Sequence, residues 1–298
     1  MPQPIELLTP GPPTLAGTLW LPDGDTVATV VMIPGSGPTH RDNDTYFPPI
    51  RDGLLDAGIA VASFDKRGVG GSAGDWHETG PVAQAADVTA QVARVRAEPA
   101  VDPARVGVFG HSQGGWVVLE VAAADPSIAF VVTNSGPGVS WAMQGRYATR
   151  AHLEADGVSA EDVAAGLGAY DRIVALVRAG ADFETVKRAA EAAGPAGNGP
   201  DDAAELELAR TWLDHDPRPA LERIQVPVLA LFGGADLVVP VDESVAVFEA
   251  ARRDRSGKLT VEVFPGGDHR IRVGEPPALH PAYLPTLTAW IRRVSEDR

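Results

Sequence analysis

The sequence contains no cysteine, and this absence removes several classes of protein from consideration. Its 298 residues include no side chain that forms a disulfide, a thiolate metal site or a cysteine nucleophile. A chain without cysteine fits a reducing compartment, so we expect the protein in the cytoplasm. Any nucleophile must come from another residue type.

Positive charge is scarce, and long apolar runs are missing. The chain carries 25 Lys and Arg against 40 Asp and Glu, a net charge of −15. Binding to nucleic acid or to an anionic membrane requires basic residues that neutralise phosphates, so neither partner is expected.

No apolar run approaches the roughly 20 residues that span a bilayer. The proline-containing stretch at 1–15 has no basic residue and does not resemble a signal peptide. We therefore expect a soluble, intracellular protein with a small-molecule partner. The sequence leaves the oligomeric state open.

Short apolar and β-branched runs recur along the chain, and each ends in turn residues. Several are apolar at consecutive positions, which is typical of strands buried on both faces of a parallel sheet. The predicted strands are 14–22, 29–34, 59–65, 105–110, 130–134, 226–233 and 259–266, with a possible edge strand at 5–9.

Helical segments alternate with these strands, which predicts a doubly wound α/β sheet. They are expected at 46–58, 81–99, 113–125, 242–254 and 281–294. One region breaks the alternation. Between 136 and 222 the sequence predicts only helices, at 141–155, 159–179, 182–193 and 201–213, with a glycine-proline patch at 192–200. We interpret 136–222 as a helical cap inserted into a core formed by 1–135 and 223–298.

Ser112 lies in the sequence GHSQGG, directly after a predicted buried strand and before a predicted helix. This is the context of a nucleophile elbow, in which a sharp turn exposes the serine hydroxyl. Gly110 and Gly114 would let the strand and the helix pass closely. A glycine-rich bend without catalytic function is the alternative, and the rest of the chain must distinguish the two.

The partners that a serine nucleophile needs are present in the expected order. Asp236 follows the strand at 226–233, and His269 follows the strand at 259–266. Both loops belong at the carboxyl edge of the sheet, and on such sheets a nucleophilic serine, its acid and its histidine follow one another along the chain in this order. Oxyanion donors are expected from the backbone N–H groups of Ser36 and Gln113. Gly35 and Gly37 would allow the loop of Ser36 to turn.

With these motifs in place, the chain resembles the α/β-hydrolase fold superfamily over essentially its whole length. GHSQGG, GGAD, GGDH and the FDKRGVGGS turn at 64–72 carry the resemblance. More narrowly, IPGSGPTHRD at 33–42 and the segment 214–240 resemble bacterial serine carboxylesterases related to serine aminopeptidase-type hydrolases. The resemblance implies a mostly parallel, eight-stranded sheet flanked by helices. It also implies acyl-enzyme chemistry without a metal or another cofactor.

Four further residues are candidates for a substrate pocket, although ordinary packing explains such side chains more often. They are His111, Trp116, Trp141 and Tyr147. Asp65 and Arg67 in FDKRG either line a site or brace their turn through charge-assisted hydrogen bonds, and bracing is the favoured role.

Carboxylic ester hydrolysis by a Ser112–Asp236–His269 triad is the function that the sequence favours. Thioesterase, peptidase and acyltransferase reactions use the same triad, so they stay open. A ligand-binding protein that retains the fold without catalysis is the alternative from another class.

Overall fold

An eight-stranded sheet organises the chain. The computed structural model describes residues 4–194, 199–253 and 258–296. The sheet has the order β1-β2-β4-β3-β5-β6-β7-β8, in which β1 and β2 run antiparallel and β3 to β8 run parallel. The predicted fold class is therefore confirmed. The strands are β1 (Ile5–Leu8), β2 (Ala16–Trp20), β3 (Ala28–Ile33), β4 (Ile59–Phe64), β5 (Val106–His111), β6 (Val131–Asn134), β7 (Val228–Gly233) and β8 (Leu259–Phe264).

The central strands are buried along their whole length, as their continuous apolar runs predict. Every residue of β3, β4, β5 and β7 is buried. Such strands need cover on both faces, and two helical layers provide it. These helices are α1 (Phe47–Asp56), α2 (Pro81–Arg96), α3 (Gln113–Ala124), α8 (Arg218–Arg223), α9 (Val241–Ala251) and α10 (Tyr283–Glu296).

Two apolar clusters separate the faces of the sheet. On one face, α2, α3, α8 and α9 share a cluster with side chains of the sheet, through residues such as Val92, Trp116 and Phe248. On the other face, α1 and α10 pack through residues such as Ile50 and Leu287.

The inserted helices follow β6 and precede β7. They are α4 (Trp141–Ala155), α5 (Ala160–Arg178), α6 (Phe183–Ala192) and α7 (Ala203–Trp212), close to the predicted bounds. Each begins after a side chain that caps its free N–H groups, namely Ser140, Ser159, Asp182 and Asp202. A separate apolar cluster holds them together. Part of the predicted glycine-proline patch, 195–198, lies outside the described residues, as does residue 254 at the end of the predicted helix 242–254.

Some short elements were not predicted from the sequence. They include the helix α8 and a hairpin of two-residue strands, β9 (Arg272–Val273) and β10 (Ala278–Leu279). In the described ranges, no helix is both long and apolar enough to cross a membrane.

Candidate active site

Ser112 occupies a strained turn between β5 and α3. Its backbone angles are φ 53° and ψ −121°, a conformation that L-residues rarely adopt and that costs on the order of 1–3 kcal/mol. The turn is fixed on both sides, because Ser112 N donates to Asn134 O at 3.0 Å and Gly115 N donates to Ser112 O at 2.8 Å. The serine is therefore presented at the carboxyl edge of the sheet, at the N-terminus of α3.

The glycines around Ser112 are required by close backbone contacts. A Cβ at Gly110 would lie 2.1 Å from Gly114 O, and a Cβ at Gly114 would lie 2.5 Å from Ile33 O. No side chain fits at such distances. The two glycines predicted to support the turn thus allow α3 to start directly against β3 and β5.

Asp236 and His269 meet at the same edge of the sheet. His269 Nδ1 lies 2.8 Å from Asp236 Oδ2. Asp236 is buried, and its Oδ1 accepts hydrogen bonds from Val238 N at 2.7 Å and Val239 N at 2.9 Å. A carboxylate oxygen accepts hydrogen bonds, so Nδ1 is the nitrogen that donates to Asp236, and in the neutral ring Nε2 is then the nitrogen with the free lone pair. This is the state that a general base needs.

His269 lies beside the serine turn. Its ring centroid is 5.1 Å from that of His111, the residue that precedes Ser112. His111 is itself buried against Tyr46, at 4.8 Å between ring centroids, and its Nδ1 lies 3.2 Å from Asn134 O. Burial, together with the charges of His269 and Arg270, lowers the pKa of His111 well below its ordinary value. His111 therefore packs behind the site as a neutral ring, in contrast to the predicted position in a substrate pocket.

The loop after β3 passes directly over Ser112. A Cβ at Gly35 would lie 3.4 Å from Ser112 Cβ. Gly37 has φ +80°, a left-handed conformation that favours glycine. Thr39 Oγ1 closes the loop by donating to Ser36 O at 3.0 Å and to Gly37 O at 3.1 Å. Ser36 and Gln113, the predicted oxyanion donors, both line the cavity described below. We call residues 34–39 the oxyanion loop.

Lys66 also belongs to this site, and it is not among the site residues predicted from the sequence. Its ammonium group donates to Gly35 O, and it lies 3.2 Å from Gly37 O and 3.4 Å from Gln113 Oε1. Desolvation by burial lowers the pKa of Lys66 to about 7. A signal was available in the sequence, since a lysine that follows a buried strand within two residues lies at the carboxyl edge of the sheet.

The neighbours of Lys66 brace their turn, as favoured from the sequence. Asp65 accepts from Arg41 N at 2.8 Å, from Arg41 Nη2 at 2.7 Å and from Gly71 N at 3.0 Å. Although burial raises the pKa of Asp65, these hydrogen bonds lower it overall. Arg67 forms a two-pronged ion pair with Asp87, with both N–O distances at 2.7 Å. Neither Asp65 nor Arg67 is free to contact a substrate.

A cavity of about 790 Å³ extends from Ser36 and Gln113 to the inserted helices. This volume suits a drug-sized ligand. Most lining side chains are aromatic or aliphatic, and they include Trp76, Trp141, Tyr170, Ile173, Val174, Val177, Leu208, Trp212, Leu213 and Val238. His152 and two carboxylates, Asp156 and Glu205, also line it.

Of the four predicted pocket residues, only Trp141 lines this cavity. Trp116 is instead a core residue that stacks on Trp212 at 5.9 Å between ring centroids. Tyr147 donates from its hydroxyl to Asp236 O at 2.8 Å, so it connects α4 to the loop of the acid. Within the described ranges, no group of three or more His, Asp or Glu side chains is arranged to hold a metal ion.

The sheet order, the strained serine between β5 and α3, and the Asp and His loops after β7 and β8 define an α/β-hydrolase. Its family follows from a match over most of the chain. Residues 14–267 match the family described as X-Pro dipeptidyl-peptidase (S15 family), and the chain belongs to this family of hydrolases.

The chain is 23% identical over 227 residues to an uncharacterized 31.7 kDa protein in the traX-finO intergenic region of Escherichia coli, covering 70% of this chain and 73% of that protein.

Solved structures of similar fold include two hydrolases. The Pyrococcus furiosus esterase Pf2001 has a TM-score of 0.64 at 18% identity, covering 99% of this chain and 90% of that one. The proline iminopeptidase of Mycobacterium smegmatis has a TM-score of 0.65 at 17% identity, covering 98% and 99%. Neighbours at this identity establish the fold, and they include an esterase and a peptidase.

Proposed function

We propose that the protein is a serine hydrolase that cleaves carboxylic esters through an acyl-enzyme intermediate. The observation that carries the proposal is the 2.8 Å contact between His269 Nδ1 and Asp236 Oδ2 beside the strained turn of Ser112. A buried carboxylate that orients a histidine, next to a serine at an elbow, is the arrangement that activates a hydroxyl nucleophile.

In the proposed reaction, His269 Nε2 takes the proton of the Ser112 hydroxyl as its oxygen attacks the ester carbonyl. Asp236 holds the ring and stabilises the imidazolium that forms. The backbone N–H groups of Ser36 and Gln113 bind the oxyanion of the tetrahedral intermediate. His269 then protonates the leaving alcohol, and an acyl group remains on Ser112. Water activated by His269 releases the acid and restores the serine. These steps use only groups of the protein and water.

The cavity supports an ester with a bulky, apolar acyl or alkyl group. Its lining is largely aromatic and aliphatic, and it starts at the two proposed oxyanion donors. We propose that α4–α7, within the segment 136–222, act as a cap that sets the size of this group. Replacement of the segment should change the substrate preference, and an unchanged preference would contradict the role of a cap.

A peptidase is the second candidate, because Asp156 and Glu205 line the cavity and carboxylates of this kind bind the terminal ammonium of a peptide. The family description also refers to a dipeptidyl-peptidase. Four substrates separate the candidates. A 4-nitrophenyl ester and a 4-nitroanilide with the same acyl group form a matched pair, and an Ala-Pro-4-nitroanilide and a thioester are tested beside them. We expect the ester to have the highest kcat/KM. A higher kcat/KM for the dipeptidyl anilide would favour the peptidase.

Catalysis itself is tested with a fluorophosphonate, which labels activated serines. We expect labelling and ester hydrolysis in the wild type, their loss in Ser112→Ala, and wild-type behaviour in Ser127→Ala, which changes an exposed serine. If the wild type gives neither turnover nor labelling at Ser112, the protein is a binding protein on this fold. The cytoplasmic location, the small-molecule partner and the absence of nucleic-acid and membrane partners stay predictions.

A further inference from the structure

Lys66 connects the two segments that carry the proposed oxyanion donors. It follows β4 and points its ammonium group at the oxyanion loop, where it donates to Gly35 O and lies 3.2 Å from Gly37 O. The same group lies 3.4 Å from the side-chain oxygen of Gln113, the first residue of α3. One amino group thus bridges the loop after β3 and the start of the helix after the nucleophile.

The contact with Gly35 O has a consequence for Ser36. The carbonyl of Gly35 and the N–H of Ser36 belong to one planar peptide unit, and in a trans peptide they point in opposite directions. A donor that holds the carbonyl oxygen on one side therefore turns the N–H to the other side. Ser36 lies on the cavity, and a Cβ at Gly35 would be 3.4 Å from Ser112 Cβ. The orientation of this peptide decides whether the N–H is available beside the nucleophile.

We propose that Lys66 is a positioning residue that holds the Gly35–Ser36 peptide with its N–H toward the oxyanion and ties this loop to the start of α3. The proposal rests on the serine hydrolase function proposed above. It assigns Lys66 no contact with the substrate; the lysine acts through the peptide that it holds.

The environment of Lys66 fits this role. The adjacent carboxylate of Asp65 is taken up by Arg41 and by Gly71 N, so it does not draw the ammonium away from the loop. Lys66 N donates to Thr39 O at 3.2 Å, which anchors the backbone of the lysine to the loop that its side chain holds. A hydrogen bond to the carbonyl oxygen also polarises the peptide and strengthens its N–H as a donor.

Methionine is the informative replacement, because it keeps an unbranched apolar chain of similar length and removes the charge and the donors. For Lys66→Met we expect kcat for a 4-nitrophenyl ester to fall about 10- to 100-fold, with KM within about twofold of the wild type. Loss of a whole oxyanion donor lowers kcat about 10²- to 10³-fold, and a misoriented donor should cost less. The affinity for an alkyl trifluoromethyl ketone, which forms an oxyanion on the serine, should fall by the same factor as kcat/KM. Lys187→Met on α6 is the matched control and should match the wild type.

The absence of cysteine allows a rescue experiment in the same enzyme. In Lys66→Cys, the new thiolate is the only one in the chain. It displaces bromide from 2-bromoethylamine, which forms one S–C bond and places an ammonium at nearly the position of the lysine Nζ. Iodoacetamide gives an adduct of similar size without the charge. We expect low kcat in Lys66→Cys, recovery of most of the activity after aminoethylation, and no recovery after carbamidomethylation.

The outcomes separate the two proposals. Wild-type kcat in folded Lys66→Met, or equal activity of the two alkylated forms, would overturn the role of Lys66 while leaving the hydrolase intact. If Lys66→Met does not fold, the comparison of the alkylated cysteine forms decides. If the wild type shows neither labelling nor turnover, the proposed hydrolase function is overturned, and the role proposed for Lys66 with it.

Discussion

Asp236 and His269 are 33 residues apart in the chain, yet their side chains meet at 2.8 Å between Oδ2 and Nδ1. The two residues follow the neighbouring parallel strands β7 and β8, whose carboxyl ends lie side by side. The other carboxylate oxygen is held by Val238 N and Val239 N. The carboxylate of Asp236 is therefore held by its own loop, independently of its contact with His269.

Replacing Asp236 by Asn should remove catalysis while keeping the fold. The amide retains an oxygen for the backbone donors, but it favours the wrong tautomer of His269. We expect kcat for a 4-nitrophenyl ester to fall by about 10⁴-fold, as for loss of the orienting carboxylate in other triads. Circular dichroism and thermal unfolding should match the wild type. Asp242→Asn, in the exposed first turn of α9, is the control and should remain fully active. A similar loss in both variants would point away from Asp236 as the acid.

Gly114→Ala should destabilise the protein and disturb the site together. The added Cβ would lie 2.5 Å from Ile33 O at the end of β3 and 2.7 Å from Pro34 O at the start of the oxyanion loop, and both are backbone atoms. Overpacking of this kind costs about 1–3 kcal/mol. We expect a lower free energy of unfolding in urea and a lower kcat. Gly24→Ala adds a Cβ that meets no atom within 4 Å, so its stability and activity should be unchanged. A fully stable and active Gly114→Ala would show that the elbow tolerates a side chain.

Val174→Phe should restrict the enzyme to esters with shorter acyl chains. Val174 lines the cavity on α5, and a benzyl group would fill part of its volume. We expect kcat/KM for a series of 4-nitrophenyl esters to fall at least about tenfold for octanoate while acetate is unaffected, because one missing methylene already changes binding by roughly 1–3 kcal/mol. Ala165→Phe, on the exposed side of the same helix, provides the control. An equal loss of kcat/KM for acyl groups of every length would mean that the acyl group does not lie beside Val174.

Lys66 should make stability depend on pH above neutrality. Burial lowers its pKa in the folded protein to about 7, from about 10.5 in the unfolded chain. Between these values the unfolded state binds a proton that the folded state has released, so this group adds stability as the pH rises from 7 toward 10.5. The gain is at most about 1.4 kcal/mol per pH unit. In urea titrations at several pH values, the stability of the wild type relative to Lys66→Met should therefore rise over this window. A constant difference would mean that the ammonium keeps an ordinary pKa.

The sheet and most helices were predictable because their signals are local. The buried runs of β3 to β7 and the capping residues of α4–α7 lie within the segments that they specify. The elements that were missed carry no such pattern, since β9 and β10 have two residues each and α8 has six. Their formation depends on contacts supplied by the finished core.

The part of the candidate site that could be predicted consists of residues that directly follow a predicted strand. Ser112, Asp236 and His269 were selected by the strands that they follow, and the structure brings the last two into contact. The positions of Lys66, Tyr147 and His111 depend on side-chain directions across elements far apart in the sequence. Tyr147, for example, reaches Asp236 O over a separation of 89 residues. No local pattern encodes such a contact.

One hydrogen bond gives the inserted helices a modular character. Ala142 N, in the first turn of α4, donates to Leu213 O, which directly follows α7, at 3.0 Å. The two ends of the inserted segment are thus joined to each other where the segment leaves the core and returns to it. We therefore expect changes of length between α4 and α7 to be compatible with the sheet. Such changes would alter the walls of the cavity while Ser112, Asp236 and His269 keep their places at the sheet edge.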